Sequence, residues 1–305
     1  SVSFLLSQKK KLSQRFIQSI FRNLAYHEQI VTEARSNQSN TGLKAAQKSS
    51  QKIEVTDEQE LFDKFSGIQL LNHLLFKRYR KIFKKKLLYR LGGLGLAFLI
   101  ILGVYVYLVI RFGKTNYLTF NQVGSVLPSI FFIMYLASIS KEVVAIYYTK
   151  CDQAMLNYPF YRTEQTILQS FIGRLKQSFI LNTPIVVALF INLFLGILLF
   201  GKAIPLSFYG LIVFYGVAVN LLFSFHELFL YYILQPFDRE GGMKNPIFTV
   251  INGIFYYFCI QNYQLANRFD ETTTYVLTIS IIIVVYVSLG LIIVKLKAPK
   301  RFKLK

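Results

Sequence analysis

The run "LGGLGLAFLIILGVYVYLVI", residues 91–110, decides what kind of chain this is. It carries no charge, and a helix needs about 20 mostly apolar residues to cross the hydrocarbon of a bilayer. The stretch just before it, "KRYRKIFKKKLLYR" at 77–90, is densely basic, and Arg111 follows it. An uncharged run of this length between cations reads as a spanning helix. Five further candidates lie downstream, at about 120–140, 178–200, 205–233, 246–263 and 273–294. Pro128 and Pro184 fall inside two of them, which spanning helices tolerate when neighbours satisfy the freed backbone groups. The candidate "PIFTVINGIFYYFCIQNY", 246–263, is short and interrupted by polar residues.

Composition agrees. The 305 residues are 53% hydrophobic, too apolar for an ordinary soluble domain of this size. Net charge is +20, from 35 Lys+Arg against 15 Asp+Glu, and much of it lies before residue 91. Such an excess points to nucleic acid, anionic lipid or membrane orientation. No helix-turn-helix, zinc-finger or RNA-binding signature is present, so the membrane readings stand and nucleic acid is not an expected partner. Cys151 and Cys259 belong to no CxxC or Cys/His cluster and read as apolar filler.

Positive charge in the connections sets the expected orientation. One side holds Arg111 and Lys114, then Lys202, then Arg268. The other holds the block ending at Arg90, then Lys141, Lys150, Arg162, Arg174 and Lys176, then Arg239 and Lys244, then the tail "KLKAPKRFKLK". The more basic side is expected to be cytoplasmic. The fold expected is therefore all-α, an integral membrane protein of six transmembrane helices, with amphipathic N-terminal helices and both termini cytoplasmic. The cell membrane is the expected location.

The N-terminal region divides at about residue 55. Phe16, Ile17, Ile20, Phe21 and Leu24 form an apolar stripe in a basic amphipathic helix within 1–36, and a polar linker follows at 36–52. Thr56 and Gln59 suit a capping box that opens a second helix, 56–90. There Leu71, Leu74, Leu75, Tyr79, Ile82 and Phe83 recur at helical spacing, with Lys77, Arg78, Arg80, Lys81, Lys84 and Lys85 on other faces. Such a helix is expected to lie on the membrane surface with its cations on lipid headgroups. The alternative is a solvated helix end marking the inner side of the next span. The spanning region is 91–297 and the basic tail 298–305.

The polar insert 150–177, "KCDQAMLNYPFYRTEQTILQSFIGRLKQ", falls between spans two and three. Thr163 suits an N-cap, with Glu164 in the first turn. Ile167, Leu168, Phe171, Ile172 and Leu175 then line one face, which needs a surface to cover it. "CDQAML" before Pro159 reads as a turn or half-helix.

Nucleotide-binding and hydrolase motifs such as GxxxxGK[ST], GxSxG, HExxH and GxGxxG are absent, so no enzyme activity or bound cofactor is expected of this chain. "LGGLGL" at 91–96 reads as close helix packing. His226 and Glu227 are the one ionisable pair inside an apolar run. They read as a pair packed between helices or near the headgroups, or as part of a pathway or gate. Asn192, Asn220, Asn252 and Gln261 read as inter-helix glue.

The layout resembles the transmembrane subunit of type-2 ABC exporters. In that family an amphipathic cytoplasmic helix precedes six spans and a coupling helix sits between spans two and three. "FDKFSGIQLLNHLLFKRYRKIFKKK", 62–86, resembles the first element and "CDQAMLNYPFYRTEQTILQSFIGRLKQ", 151–177, the second. The wording "LLFKR" and "CDQAMLNYPFYR" is similar to permeases of low-GC Gram-positive bacteria. The short connection "QLANRFDETT" departs from any pattern with a large external domain. The resemblance also leaves open that residues 1–60 connect to a longer protein.

It implies a permease that exports a peptide or lipid-like substrate, driven by a separate ABC ATPase subunit that binds ATP and Mg. It also implies a homodimer or a second permease half. Docking on the ATPase would fall to Tyr158, Phe160, Tyr161, Arg162, Glu164, Phe171 and Arg174, aromatic and Arg side chains being good interface anchors. The competing reading of these residues is anchoring at the headgroup level. The competing classes for the chain are a non-ATPase channel, scaffold or regulator that binds anionic lipid, and an intramembrane enzyme using His226 and Glu227.

Overall fold

The computed structural model describes Phe65 and residues 67–112, 120–200, 205–237 and 245–302. The helix expected within 1–36, the linker at 36–52 and the capping box at Thr56 lie outside these residues. The architecture is helical, with no strand among the described residues. In order the elements are α1 (Gly67–Phe112), α2 (Phe120–Ala137) and α3 (Ser140–Tyr147). A π-helical turn (Tyr148–Asp152), a last α-helical turn (Gln153–Met155) and a 3-10 turn (Pro159–Arg162) come next. Then come α4 (Glu164–Phe200), α5 (Leu206–Leu234), α6 (Pro246–Ala266) and α7 (Thr272–Arg301).

Five stretches are long and apolar enough to cross a membrane: Gly67–Arg111, Gly124–Met155, Glu164–Leu198, Leu206–Leu234 and Thr272–Arg301. α6 is not among them. Asn252, Gln261, Asn262 and its tyrosines dilute its apolar character, although its 21 residues make a helix about 32 Å long.

Two boundaries differ from the sequence reading. The surface helix expected at 56–90 and the first span are one unbroken helix, α1, of 46 residues. Its stripe of Leu71, Leu74, Leu75, Tyr79 and Phe83 is buried by the rest of the chain, chiefly α4, so protein rather than bilayer covers it. Ile82, assigned to the same stripe, is 45% exposed. Lys77, Arg80, Lys81, Lys84 and Lys85 are exposed, and half-buried Arg78 lies 5.7 Å from the Tyr79 ring centroid. Beyond Arg90 the picture reverses, and no described side chain from 91 to 111 is buried. A Cβ added at Gly92, Gly93, Gly95 or Gly103 would meet no other atom within 4 Å, so the close packing expected of "LGGLGL" is not made within this chain.

The second difference concerns the insert. The expected short coupling helix is the first part of α4, which runs unbroken for 37 residues. Its apolar face is covered at Ile167 and Phe171, while Leu168 and Leu175 are half-buried and Ile172 is exposed. Phe171 packs edge-on against Phe225 and Tyr232 of α5, with centroids 5.7 and 5.2 Å away, and Ile167 is 2% exposed.

The real interruption is earlier, at Ser138–Ile139, between α2 and α3. Asn182 of α4 spans that break. Its Oδ1 accepts from the Ile139 N–H at 3.1 Å and the Ser138 hydroxyl at 3.3 Å. Its Nδ2 donates to Ser140 Oγ at 2.7 Å and Ser224 Oγ at 3.0 Å. A freed backbone donor inside an apolar bundle must find such a partner.

α5 is the central helix, touching α2, α3, α4, α6 and α7. α1 packs chiefly on α4. A Cβ on Gly290 of α7 would run into the Phe225 ring of α5, so these helices approach through hydrogen alone. Gly290→Ala should cost about 1–3 kcal/mol by overpacking. The unfolding midpoint of the detergent-solubilised protein measures this, and an unchanged midpoint would refute the close contact.

Candidate functional site

The elements at the basic end converge on one buried ion pair. Arg174 is reached from α4, and Asp152 from the π turn that ends the α2–α3 arm. A π turn inserts an extra residue, which rotates the later side chains about the helix axis. Here Tyr148, Cys151 and Asp152 are all buried. Both Arg174 and Asp152 are 0% exposed. Arg174 Nη1 meets Asp152 Oδ2 at 2.5 Å, and Nη2 donates to Oδ1 at 2.6 Å. This two-pronged fit uses the planar guanidinium, which a lysine could not reproduce.

Most of the remaining valences are also filled. The Tyr161 hydroxyl donates to Asp152 Oδ1 at 2.6 Å, and the Tyr231 hydroxyl donates to Oδ2. Arg174 Nε donates to Asn72 Oδ1 of α1 at 3.2 Å, and Nη2 donates to Tyr161 Oη at 2.9 Å. The guanidinium carbon lies 4.7 Å from the Tyr147 ring centroid. Around this centre, Gln177 Nε2 donates to the Asn72 carbonyl at 3.1 Å, and its Oε1 accepts from the Tyr147 hydroxyl. The Tyr232 hydroxyl donates to Ser170 Oγ at 3.1 Å. Two charges removed from water are tolerated only with such complete hydrogen bonding. Burial pushes the Tyr161 hydroxyl well above the ordinary tyrosine range, against the pull of Arg174, so it stays a protonated donor. Chemically the cluster is a joint between α1, α3, α4, α5 and the 159–162 turn.

The residues singled out for docking therefore separate. Tyr161, Phe171 and Arg174 are buried and cannot meet a partner in this conformation. Tyr158 and Phe160 are 39% and 42% exposed, Glu164 is exposed and Arg162 half-buried. These four form the apex above the joint. Asp152, Tyr231, Asn72 and Asn182 escaped the sequence reading. Asp152 had one usable signal, a carboxylate at the end of an apolar run with a basic residue in the next helix.

His226 is 3% exposed and packed between three helices. Its ring stacks on Phe255 of α6 at 3.6 Å. Nδ1 lies 2.8 Å from the Tyr286 hydroxyl of α7, and Nε2 lies 3.2 Å from Asn252 Oδ1 of α6. Since Oδ1 only accepts, the neutral tautomer with its proton on Nε2 fits, with Tyr286 donating to Nδ1. Glu227, next in the chain, lines a cavity whose wall His226 shares. Asn220 also joins helices, donating to Phe179 O and Thr183 Oγ1 of α4 at 3.3 and 3.1 Å. Gln261 differs from the expected inter-helix role, donating to Tyr257 of its own helix at 2.7 Å. No His, Cys, Asp and Glu group suited to a metal occurs among the described residues.

The geometry defines a helical bundle of membrane-length apolar helices tied together at its basic end. No family model matches the chain, and no curated protein or solved structure matches it.

Proposed function

We propose that this chain is the membrane-spanning permease subunit of an ATP-driven exporter of the type-2 ABC class. It takes its force from a separate ATPase subunit, which binds ATP and Mg, and passes a peptide or lipid-like substrate through the bilayer. The observation that carries this reading is the exposed apex 158–164 seated on the buried Asp152–Arg174 joint. A push on such an apex reaches α1, α4 and α5 together, because Asn72, Arg174 and Tyr231 all hold the same carboxylate or its partner. A loop without that joint would absorb the motion.

Six spans are part of the proposal. α6 runs alongside α5 in the opposite sense. Asn252, near its start, meets His226, while Asn262, near its end, meets Tyr275, itself 3.2 Å from Tyr215 near the start of α5. That antiparallel course supports α6 as the sixth crossing, with the basic ends and both termini in the cytoplasm and the chain in the cell membrane. The exposed apolar half of α1 supports a second permease half or a second copy beside it.

Tyr158→Ala with Phe160→Ala should lower co-purification of a partner ATPase by at least about tenfold, since aromatic anchors dominate interfaces. Both side chains are exposed, so the unfolding midpoint should hold. Undiminished co-purification in the double variant would remove the docking surface, and no ATPase with the wild type would remove the exporter reading. A lipid-anchored scaffold is the second reading, favoured by the exposed cations of α1. It predicts binding to anionic vesicles lost on Lys81→Gln with Lys84→Gln and Lys85→Gln, with no ATPase captured.

A further inference from the structure

A cavity of about 190 Å³ opens between α1, α2, α3, α5 and α6. That is several times the space one water molecule needs. Its polar wall consists of Arg90, Lys141, Glu142, His226 and Glu227, and its aromatic wall includes Phe255. Arg90 bridges the elements, with Nη2 on Glu142 Oε1 at 2.6 Å and Nη1 donating to the Leu136 carbonyl. Glu142 Oε2 and Glu227 Oε2 are both buried without a hydrogen-bond partner among the described residues. A buried carboxylate oxygen left so is costly, and two of them on one cavity call for a donor. With cations and carboxylates both present, a ligand carrying one charge of each sign fits better than a simple ion. The aromatic wall also suits an ammonium group.

We propose that this cavity binds a phosphoethanolamine group, its ammonium on Glu227 and Glu142 and its phosphate on Lys141 and Arg90. The level of the cavity favours a phospholipid as the source. Arg90 is where the charged part of α1 gives way to the uncharged run 91–110, the place where headgroups meet hydrocarbon. The assignment does not rest on an ATPase partner.

The test uses the full chain in nanodiscs holding equal amounts of phosphatidylethanolamine and phosphatidylglycerol, re-extracted and examined by native mass spectrometry. Wild type should retain phosphatidylethanolamine about tenfold over phosphatidylglycerol, the scale of one charge-assisted hydrogen bond to a buried group. Glu227→Gln, which keeps the shape, should bring the ratio near one at an unchanged unfolding midpoint. Lys141→Gln, at an exposed position, should lower phosphatidylethanolamine retention independently. If free phosphoethanolamine raises the midpoint of delipidated wild type but not of Glu227→Gln, while neither lipid is preferred, the site stands with a soluble ligand. Equal retention with no such shift, a preference that survives Glu227→Gln, or stabilisation by Mg²⁺ alone would overturn the proposal.

Discussion

Arg174→Ala is expected to destabilise the folded chain by about 3–5 kcal/mol, because it leaves Asp152 charged and buried with hydroxyl donors alone. The carboxylate sits at 0% exposure and cannot recover water without opening the bundle. Fluorescence-detected size exclusion after heating in detergent reads the loss. Arg174→Lys should recover only part of it, since an ammonium cannot span both Asp152 oxygens while also reaching Asn72. Arg174→Met with Asp152→Leu should restore part of the stability by removing both buried charges, the Tyr161 and Tyr231 hydroxyls and Asn72 Oδ1 being left to find other partners. In the exporter proposed above, that double variant separates stability from transmission. It should fold, yet uncouple the apex from α5, because Tyr231 loses its acceptor. Wild-type stability in Arg174→Ala would show that the pair is not buried as described.

Asn182→Leu is the second large effect expected. The substitution keeps volume but strips the partners of Ile139 N–H, Ser138 and Ser224 at once. Each buried group left unpaired costs about 1–3 kcal/mol, although serine hydroxyls can turn to other acceptors. The backbone N–H cannot turn, so a loss of at least about 2 kcal/mol is expected. Asn182→Asp should lose less at Ile139 and more at Ser140, where the Nδ2 donor is replaced by an acceptor. Hydrogen exchange at Ile139 gives a local readout: faster exchange in Asn182→Leu, with distant amides of α7 unchanged, marks the break itself. Unchanged exchange there would count against the assignment.

These sites show what could be read from sequence. The apolar runs were legible because length and lack of charge are local properties, and 91–110 needs no neighbour to be recognised. The face formed by Ile167 and Phe171 was legible as apolar, since it follows from helical spacing. Its cover was not, because Phe225 and Tyr232 lie more than fifty residues along and reach it only when α5 docks. The same limit hid the partner of Arg174. Asp152 is 22 positions away, across a turn whose register depends on a π bulge that no residue pattern announces. The end of the insert was misplaced for another reason. Polarity changes near residue 177, but helical hydrogen bonding does not stop where polarity changes, and α4 runs straight through. At the 226–227 pair both side chains line one cavity, but the partners of His226, Tyr286 and Asn252, lie on two other helices that no local pattern announces.

The two halves of α1 are held to different standards by their surroundings. From Leu71 to Phe83 each buried side chain must match the shape of α4, so a change of size is felt. From 91 to 111 the chain itself imposes little shape beyond the half-buried Leu91 and Leu94, which pack on the core, and elsewhere any oily residue of reasonable helix propensity serves. A library of substitutions along α1 would therefore show strict residue identity at the buried positions up to Phe83, tolerance at the exposed lysines around them and a weaker preference as far as Leu94. Past that point only average greasiness would be conserved, unless another molecule reads the surface. Positions that stay strict in the outer half would then mark where that molecule sits.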